Sequence, residues 1–137
     1  MVHALRTVHG LLRPGGVLLD IRPLDERAEF LVIDGGDDRL AGVMQETDEG
    51  IEYPQAEAAM RDAIGEGLFV LEAERAFPFI HHARTFPELR AYLEDIWSDA
   101  VMGPGLEREA GRLLEAAGPG AEMALRETGW MRRLRGR

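Results

Sequence analysis

Apolar residues at helical spacing mark a short amphipathic helix at the start of the chain. Its apolar positions are Val2, Leu5, Val8 and Leu12. The sequence Arg13-Pro14-Gly15-Gly16 then predicts a turn, because proline fixes one φ angle and glycine allows a positive one. The nearly continuous apolar run over residues 17–21 predicts a strand that is covered on both faces, as in a parallel α/β sheet, and that Pro23 ends.

Two short strands, a helix and one long strand are predicted in the middle of the chain. Residues 30–33 and 40–44 are typical of an antiparallel hairpin, with an Asp- and Gly-rich turn between them. After an acidic stretch, a helix begins near Pro54 and ends at Gly65. Its buried stripe consists of Ala56, Met60, Ala63 and Ile64. Residues 68–80 predict the longest strand, and one of its faces carries Phe69, Leu71, Ala73, Phe77 and Phe79.

Three helices are predicted in the last third of the chain. Thr85 and Glu88 form a capping-box pattern, which starts a helix with a clear apolar stripe. That stripe consists of Leu89, Tyr92, Leu93, Ile96 and Trp97. The second helix is marked by Leu106, Ala110, Leu113, Leu114 and Ala117. The last helix is predicted to carry Met123, Trp130, Met131 and Leu134.

The order of these elements predicts an α+β fold. We expect a small mixed or antiparallel sheet of about four strands, packed with about five helices. The length of 137 residues fits a single domain. Within that domain we expect a helix, sheet and hairpin portion over residues 1–83 and a helical portion over residues 84–137.

Composition narrows the classes of function. The chain has no cysteine, which excludes disulfides, zinc ribbons and thiol catalysis. Its net charge of −9 argues against a nucleic-acid partner, and no apolar run is long enough to cross a membrane. There is no lysine for a Schiff base, and the single serine, Ser98, falls in a predicted helix over residues 92–101 rather than in a nucleophile elbow. We predict a soluble, cytoplasmic protein.

The first turn and its neighbours resemble a known family. The segment Leu11-Leu12-Arg13-Pro14-Gly15-Gly16-Val17-Leu18-Leu19-Asp20 is similar to class I S-adenosylmethionine-dependent methyltransferases. In those proteins a helix ends in a turn of this composition and leads into the fifth strand. The aromatic strand and the helix start Phe86-Pro87-Glu88-Leu89 fit the same pattern, with the hairpin as an insertion. The resemblance extends to about Leu93 and implies the C-terminal half of such a domain.

The resemblance also implies what is missing. The family holds its cofactor with a glycine-rich loop and an acidic residue that precede the matching turn, and only twelve residues precede Arg13. The glycine pairs at residues 65–67, 103–105 and 118–120 lack the strand, loop and helix order of such a cradle. We therefore expect no cofactor-binding residues here, and S-adenosylmethionine only if a partner supplies the missing half. Catalytic residues are unknown. The substrate-side wall is the part that carries over, and its candidates are Asp20, Arg22, Tyr53 and His81.

Other polar clusters have plainer interpretations. His81 and His82 are adjacent on a strand and point to opposite faces, so no metal site is predicted. The acidic residues are Glu46, Asp48, Glu49 and Glu52. They predict a solvated linker, with a carboxylate pair or hard-cation site as the alternative. The basic C-terminal residues are Arg132, Arg133, Arg135 and Arg137. They predict a solvated helix end, with contact to a phosphate or to an acidic partner as the alternative.

Three functions stay open on the sequence. The chain is a methyltransferase-like remnant or truncated reading frame without catalysis of its own, or it is a subunit of a split methyltransferase. The alternative is a small-molecule-binding or structural α+β dimer module with an unknown ligand. A severed sheet leaves the strand at residues 17–21 without a partner on one edge, and exposed edges promote association. We therefore expect a homodimer, or a partner chain that covers this edge.

Overall fold

The computed structural model describes residues 2–47 and 52–137. This part of the chain contains four helices and seven strands, which confirms the α+β class. The helices are α1 (Val2–Leu11), α2 (Glu52–Gly65), α3 (Phe86–Ile96) and α4 (Pro104–Glu115). The strands are β1 (Val17–Pro23), β2 (Glu29–Asp34), β3 (Asp37–Val43), β4 (Gln45–Glu46), β5 (Phe69–Ala83), β6 (Ala100–Val101) and β7 (Glu122–Gly136).

The described residues divide into two compact units. Unit one comprises residues 2–25, 52–77 and 129–137, and unit two comprises residues 26–47 and 78–128. Each unit has its own group of buried apolar residues. The strands β5 and β7 are long enough to contribute a segment to each unit.

Unit one is built on the pairing of β1 with the last part of β7. The two strands are antiparallel, and their register runs from Val17 opposite Arg135 to Pro23 opposite Gly129. Strand β5 also pairs with β7. Apolar residues of α1 and α2 and of the segments that follow them pack on the apolar residues of this sheet. The buried residues are Met60, Ala63, Phe69 and Leu134, with Leu5, Leu12, Leu18, Ile64 and Leu68 packed against them.

The surroundings of β1 differ from the prediction. A strand is present where it was predicted and ends at Pro23, but its neighbour is antiparallel and only alternate residues are covered. Leu18 packs in the core, whereas Val17, Leu19 and Ile21 are exposed. The expectation of a parallel strand covered on both faces is therefore wrong within the described residues. An unbroken apolar run does not by itself show how many faces a neighbour covers.

Unit two is built on β2. This strand pairs antiparallel with β3 and with residues 122–126 of β7. The predicted hairpin is confirmed, and its turn contains Gly35 and Gly36 with φ angles of 60° and 92°, which a residue without Cβ adopts at little cost. The short pair β4–β6 was not predicted. The core residues of this unit are Ala28, Phe30, Val32, Met44, Ala83, Leu89, Leu93, Ala110, Leu113, Met123 and Leu125.

The predicted last helix is wrong, because residues 122–136 form strand β7. Residues 123–125 are buried in succession, and covered and exposed positions alternate over residues 130–136, which is not helical spacing. Met123 and Leu125 belong to the core of unit two, and Leu134 belongs to that of unit one. The helical interpretation matched Met123, Trp130, Met131 and Leu134 but ignored the period of two that relates Trp130 to Leu134. Arg132, Arg133 and Arg135 consequently lie on a strand and not at a helix end, and Arg137 follows that strand.

Helix α3 begins as predicted and ends earlier. The Thr85 Oγ1 accepts a hydrogen bond from the Glu88 N–H at 3.3 Å, which is the expected N-cap contact. The Glu88 carboxylate accepts from the Arg84 N–H at 2.8 Å, one residue before the predicted donor. The helix ends at Ile96, so Ser98 lies in a turn and the predicted helix over residues 92–101 is too long.

Candidate functional site

The clearest pocket of unit one lies at the carboxyl end of β1. It is a cavity of about 390 Å³ between that strand end, the first turns of α2 and the adjacent part of β7. Trp130 of β7 is the register partner of Arg22, and Arg132 is the register partner of Asp20, so strand pairing brings these side chains together. The lining residues are Arg22, Pro23, Leu24, Asp25, Tyr53, Pro54, Glu57, Trp130 and Arg132.

Glu57 connects the two arginines of the pocket. Its carboxylate accepts two hydrogen bonds from Arg132, at 2.8 Å from Nη1 and 3.0 Å from Nη2, and a third from Nη2 of Arg22. The Arg132 hydrogen bonds, assisted by the charges of both arginines, hold the pKa of Glu57 below its usual value. The same contacts raise the pKa of Arg132. Glu57 is therefore ionised at neutral pH, and the arrangement is a bidentate pair with a second arginine attached.

Two further acids flank this trio at longer range. Arg22 Nε lies 3.5 Å from Asp20 Oδ2, and Arg132 Nε lies 3.4 Å from Glu74 Oε2. These are ion-pair separations without hydrogen-bond geometry, and the Asp20 Oδ2 and Arg132 Nε atoms are buried without a hydrogen-bond partner among the described residues. The arginine side chains are only 16% and 12% exposed, whereas that of Glu57 is 41% exposed. Glu57 is thus the most solvent-accessible member of the trio.

Trp130 supplies an aromatic wall and a free donor. The Arg132 guanidinium carbon lies 5.6 Å from the centre of its ring, within cation–π range. Its indole Nε1 is buried and has no hydrogen-bond partner among the described residues. An indole N–H can only donate, so it needs an acceptor, from a ligand or from water.

Three of the four residues predicted for a substrate-side wall lie together. Arg22 and Tyr53 line the pocket, and Asp20 pairs with Arg22. His81 belongs to unit two, where its ring stacks on Tyr92 with centroids 3.5 Å apart. The structure therefore places it with a different set of neighbours.

The sequence interpretation did not place Glu57, Trp130 or Arg132 beside Arg22, and of the three it named only Arg132 as a possible contact to a phosphate or an acidic partner. Glu57 follows Tyr53 by four residues and so shares its face of α2, a signal that was present in the spacing. Trp130 and Arg132 share one face of β7, but the segment had been assigned to a helix. Arg132 is also largely buried, so the solvated-tail interpretation is wrong for this residue.

Unit two contains a second group of perturbed side chains. Burial lowers the pKa of His81 and raises the pKa of Tyr92, with a smaller upward contribution from Glu127 to the latter. Burial also raises the pKa of Glu127, and the nearby charge of Glu46 adds to the rise. All three shifts favour neutral forms, and none of these three residues lines the cavity described for unit two. That cavity, of about 610 Å³, is lined by Phe86, Pro104, Glu107 and Arg108.

The other polar clusters are engaged in local contacts. His82 Nδ1 lies 2.8 Å from Glu122, and Arg133 and Arg135 both pair with Glu72. No group of three or more potential metal ligands occurs within residues 2–47 and 52–137. Of the predicted acidic linker, Asp48 and Glu49 lie outside the described residues, as does the Glu52 side chain.

The helices in the described part of the chain are all too short or too polar to cross a membrane. No protein family, curated protein or solved structure matches this chain. The pocket of unit one and the edge of β1 are therefore the features from which a function is inferred.

Proposed function

We propose that this chain is a methyltransferase-like protein that binds the substrate in the pocket of unit one and lacks the S-adenosylmethionine-binding half. It acts as a remnant or as a subunit of a split methyltransferase and has no catalysis in isolation. The observation that carries the proposal is the convergence of Asp20, Arg22 and Tyr53 at the carboxyl end of β1. Ligand sites are typically concave and largely apolar, with a few polar groups that converge on the ligand, and this pocket has that composition.

The glycine pairs support the cofactor side of the proposal. Gly65 ends α2, and Gly118 follows α4. Gly103 does follow a strand, the two-residue β6, and caps α4, so the prediction that this glycine pair lacks the strand, loop and helix order is wrong. Pro104 occupies the first turn of α4, however, and has no N–H to offer a phosphate or carboxylate. These positions support the proposal that the glycine pairs do not provide the cradle that an adenosyl cofactor needs.

Titration calorimetry of the purified chain with S-adenosylmethionine tests whether the chain binds this cofactor by itself. We expect no heat of binding from the chain alone. Saturable binding at micromolar concentration would contradict the proposal that the chain lacks the cofactor-binding half. In a second arm, the tagged chain is isolated from its native cells, and the complex is incubated with radiolabelled S-adenosylmethionine. Cofactor binding by the complex but not by the chain supports a split enzyme.

The antiparallel pairing of β1 favours a second candidate, a small-molecule-binding or structural α+β dimer module unrelated to methyl transfer. In this case the isolated complex binds no S-adenosylmethionine, while the pocket still binds a ligand. The second arm of the experiment therefore separates a split methyltransferase from this module.

The edge of β1 supports a second copy of this chain as partner. Among the described residues β1 pairs with β7 alone, and it ends the strand order of its sheet. In an antiparallel pair of β1 strands centred on Ile21, Asp20 of one copy lies opposite Arg22 of the other. Opposite charges in such cross-strand pairs are stabilising. A homodimer would therefore bring complementary charges together along this edge.

Sedimentation equilibrium at micromolar concentration tests the dimer. Ile21→Glu places two like charges opposite each other at the centre of the pair, and Ile21 is 57% exposed, so folding should tolerate it. We expect the wild type to be dimeric and this variant to be monomeric. The matched control is Leu40→Glu, because Leu40 is 56% exposed on β3, and the dimer should survive it. A stable wild-type monomer at this concentration would contradict the dimer proposal.

A further inference from the structure

The unit-one pocket is lined by two arginines and two acids, Arg22 and Arg132 beside Asp25 and Glu57, but two of its donor atoms lack a hydrogen-bond partner among the described residues. Arg22, Arg132 and the Trp130 indole N–H all present donors, and neither guanidinium nor indole can accept a hydrogen bond. Among the described residues, Glu57 accepts hydrogen bonds from both arginines. The buried Trp130 Nε1 and Arg132 Nε have no hydrogen-bond partner there. A ligand that brings additional acceptor oxygens therefore completes this set of donors.

The walls of the pocket limit the body of such a ligand. Pro23, Leu24, Pro54, Tyr53 and Trp130 surround the charged groups with aliphatic and aromatic surface. The volume of about 390 Å³ lies at the small end of the range for ligand sites, which run from about 300 to 1,000 Å³. A small planar apolar body fits these walls, since flat rings stack well on indole and phenol faces.

We infer that the unit-one pocket binds a small aromatic carboxylate, whose carboxylate contacts Arg22 and Arg132 and accepts the Trp130 indole N–H. This inference rests on the pocket being the substrate site of the proposed function and gives that substrate a chemical class. Planar carboxylates match the fork of an arginine guanidinium through two parallel hydrogen bonds. An inorganic phosphate offers the same charge without the ring, so a comparison of the two probes separates head-group binding from recognition of the whole molecule.

Glu57 competes with the ligand for the arginines. Its carboxylate already makes with Arg132 the bidentate contact that a ligand carboxylate would make. Because its side chain is partly exposed, it can turn toward solvent when the ligand enters. Removing its charge without removing its shape should therefore strengthen binding, whereas loss of a true binding residue would weaken it.

Fluorescence of Trp130 reports on the pocket directly. The chain has two tryptophans, so the Trp97→Phe variant leaves Trp130 as the sole indole reporter. Benzoate is titrated into this protein, with inorganic phosphate and cyclohexylamine in parallel titrations. We expect a saturable change with benzoate, a weaker one with phosphate and none with the amine. No saturable change with benzoate, or tighter binding of the amine, overturns the inference.

Variants then assign the interaction to its residues. Glu57→Gln in the same background should bind benzoate roughly tenfold more tightly, the scale of one charge-assisted hydrogen bond. The matched control is Glu29→Gln, which removes an acid hydrogen-bonded to Arg126 at 2.7 Å in unit two and should leave affinity unchanged. Weaker binding by Glu57→Gln, or an equal gain in the control, would contradict the competition.

A conservative substitution tests the Trp130 contact with little risk to folding. Trp130→Phe keeps an aromatic ring and removes the N–H, and its benzoate binding is followed by calorimetry in place of fluorescence. We expect affinity to fall roughly fivefold, the scale of one neutral hydrogen bond. Unchanged affinity would remove the indole N–H from the inferred contacts. These titrations contain no S-adenosylmethionine, so a failure here leaves the cofactor test of the proposed function unaffected.

Discussion

Replacing Gly129 by alanine tests the packing of unit one at a single contact. Gly129 is a buried residue of β7, and the ring of Phe77 lies over it. An added Cβ would lie 2.5 Å from Cζ of Phe77 and 2.8 and 2.9 Å from its two Cε atoms. Carbon atoms in favourable contact are separated by about 3.5–4.0 Å, so the ring must move by roughly 1 Å. The backbone itself accepts alanine, because Gly129 is not among the glycines with positive φ.

The magnitude follows from two ways to relieve the clash. If the ring stays in place, overpacking costs about 1–3 kcal/mol. If the half-buried ring swings toward solvent, its lost burial costs at most about 1.5–3 kcal/mol. The substitution also has a favourable effect on the order of 0.5 kcal/mol, because glycine loses more conformational freedom than alanine when a strand folds. We expect a net loss of about 1–2 kcal/mol, or roughly 5- to 30-fold in the folding equilibrium.

Urea denaturation followed by circular dichroism measures this loss. Gly10→Ala is the control, because Gly10 lies in α1 of the same unit and no heavy atom lies within 4 Å of its added Cβ. In the Phe77→Ala background, Gly129→Ala should cost little, as expected for two groups in direct contact. If Gly129→Ala is as stable as wild type, or if its cost is unchanged without the ring, the packing reasoning is refuted.

Three further changes test local features of unit two. Gly111→Ala fills open space in the interior of α4 and should raise the free energy of unfolding by about 0.8–1 kcal/mol, measured in urea. Thr85→Ala removes the N-cap acceptor of α3 and should cost about 1 kcal/mol, while Thr85→Ser should cost little; equal losses would argue against the cap. Glu127→Gln should stabilise at neutral pH, because burial raises the pKa of Glu127 in the folded state. The folded wild type holds this proton more tightly than the unfolded chain, so its stability falls as pH rises from the ordinary carboxyl pKa through the raised one. Melting curves across pH should therefore show the two proteins converging in acid, and a constant difference would contradict the assignment.

Local signals predicted the elements whose patterns are confined to a few residues. The hairpin of β2 and β3 follows from its Gly-rich turn, and the start of α3 follows from Thr85 and Glu88. The strand β7 could not be recognised in this way, because its buried positions serve two different cores. Each half shows only two or three apolar residues at a spacing of two, which is too few to establish the period.

The candidate site was predicted in part for the same reason. Asp20 and Arg22 were named because the methyltransferase resemblance implies a substrate-side wall near the end of the strand that follows the turn at residues 13–16. Glu57 and Arg132 are separated by 75 residues and meet only because β7 pairs with β1 beneath α2. The two residues form the bidentate ion pair of the pocket. Nothing in the sequence around either residue indicates that the other is its partner.

The amino-acid sequence determined the α+β class, the positions of most helices and strands, and the chemistry that is excluded for want of cysteine and lysine. These depend on local dihedral preference and on composition, which each segment carries with it. Tertiary structure decided that β1 is half exposed, that the basic C-terminal segment is a strand, and that Arg22, Glu57 and Arg132 form one trio. Such outcomes depend on which distant segments pair, because burial and charge neutralisation are properties of neighbours in space.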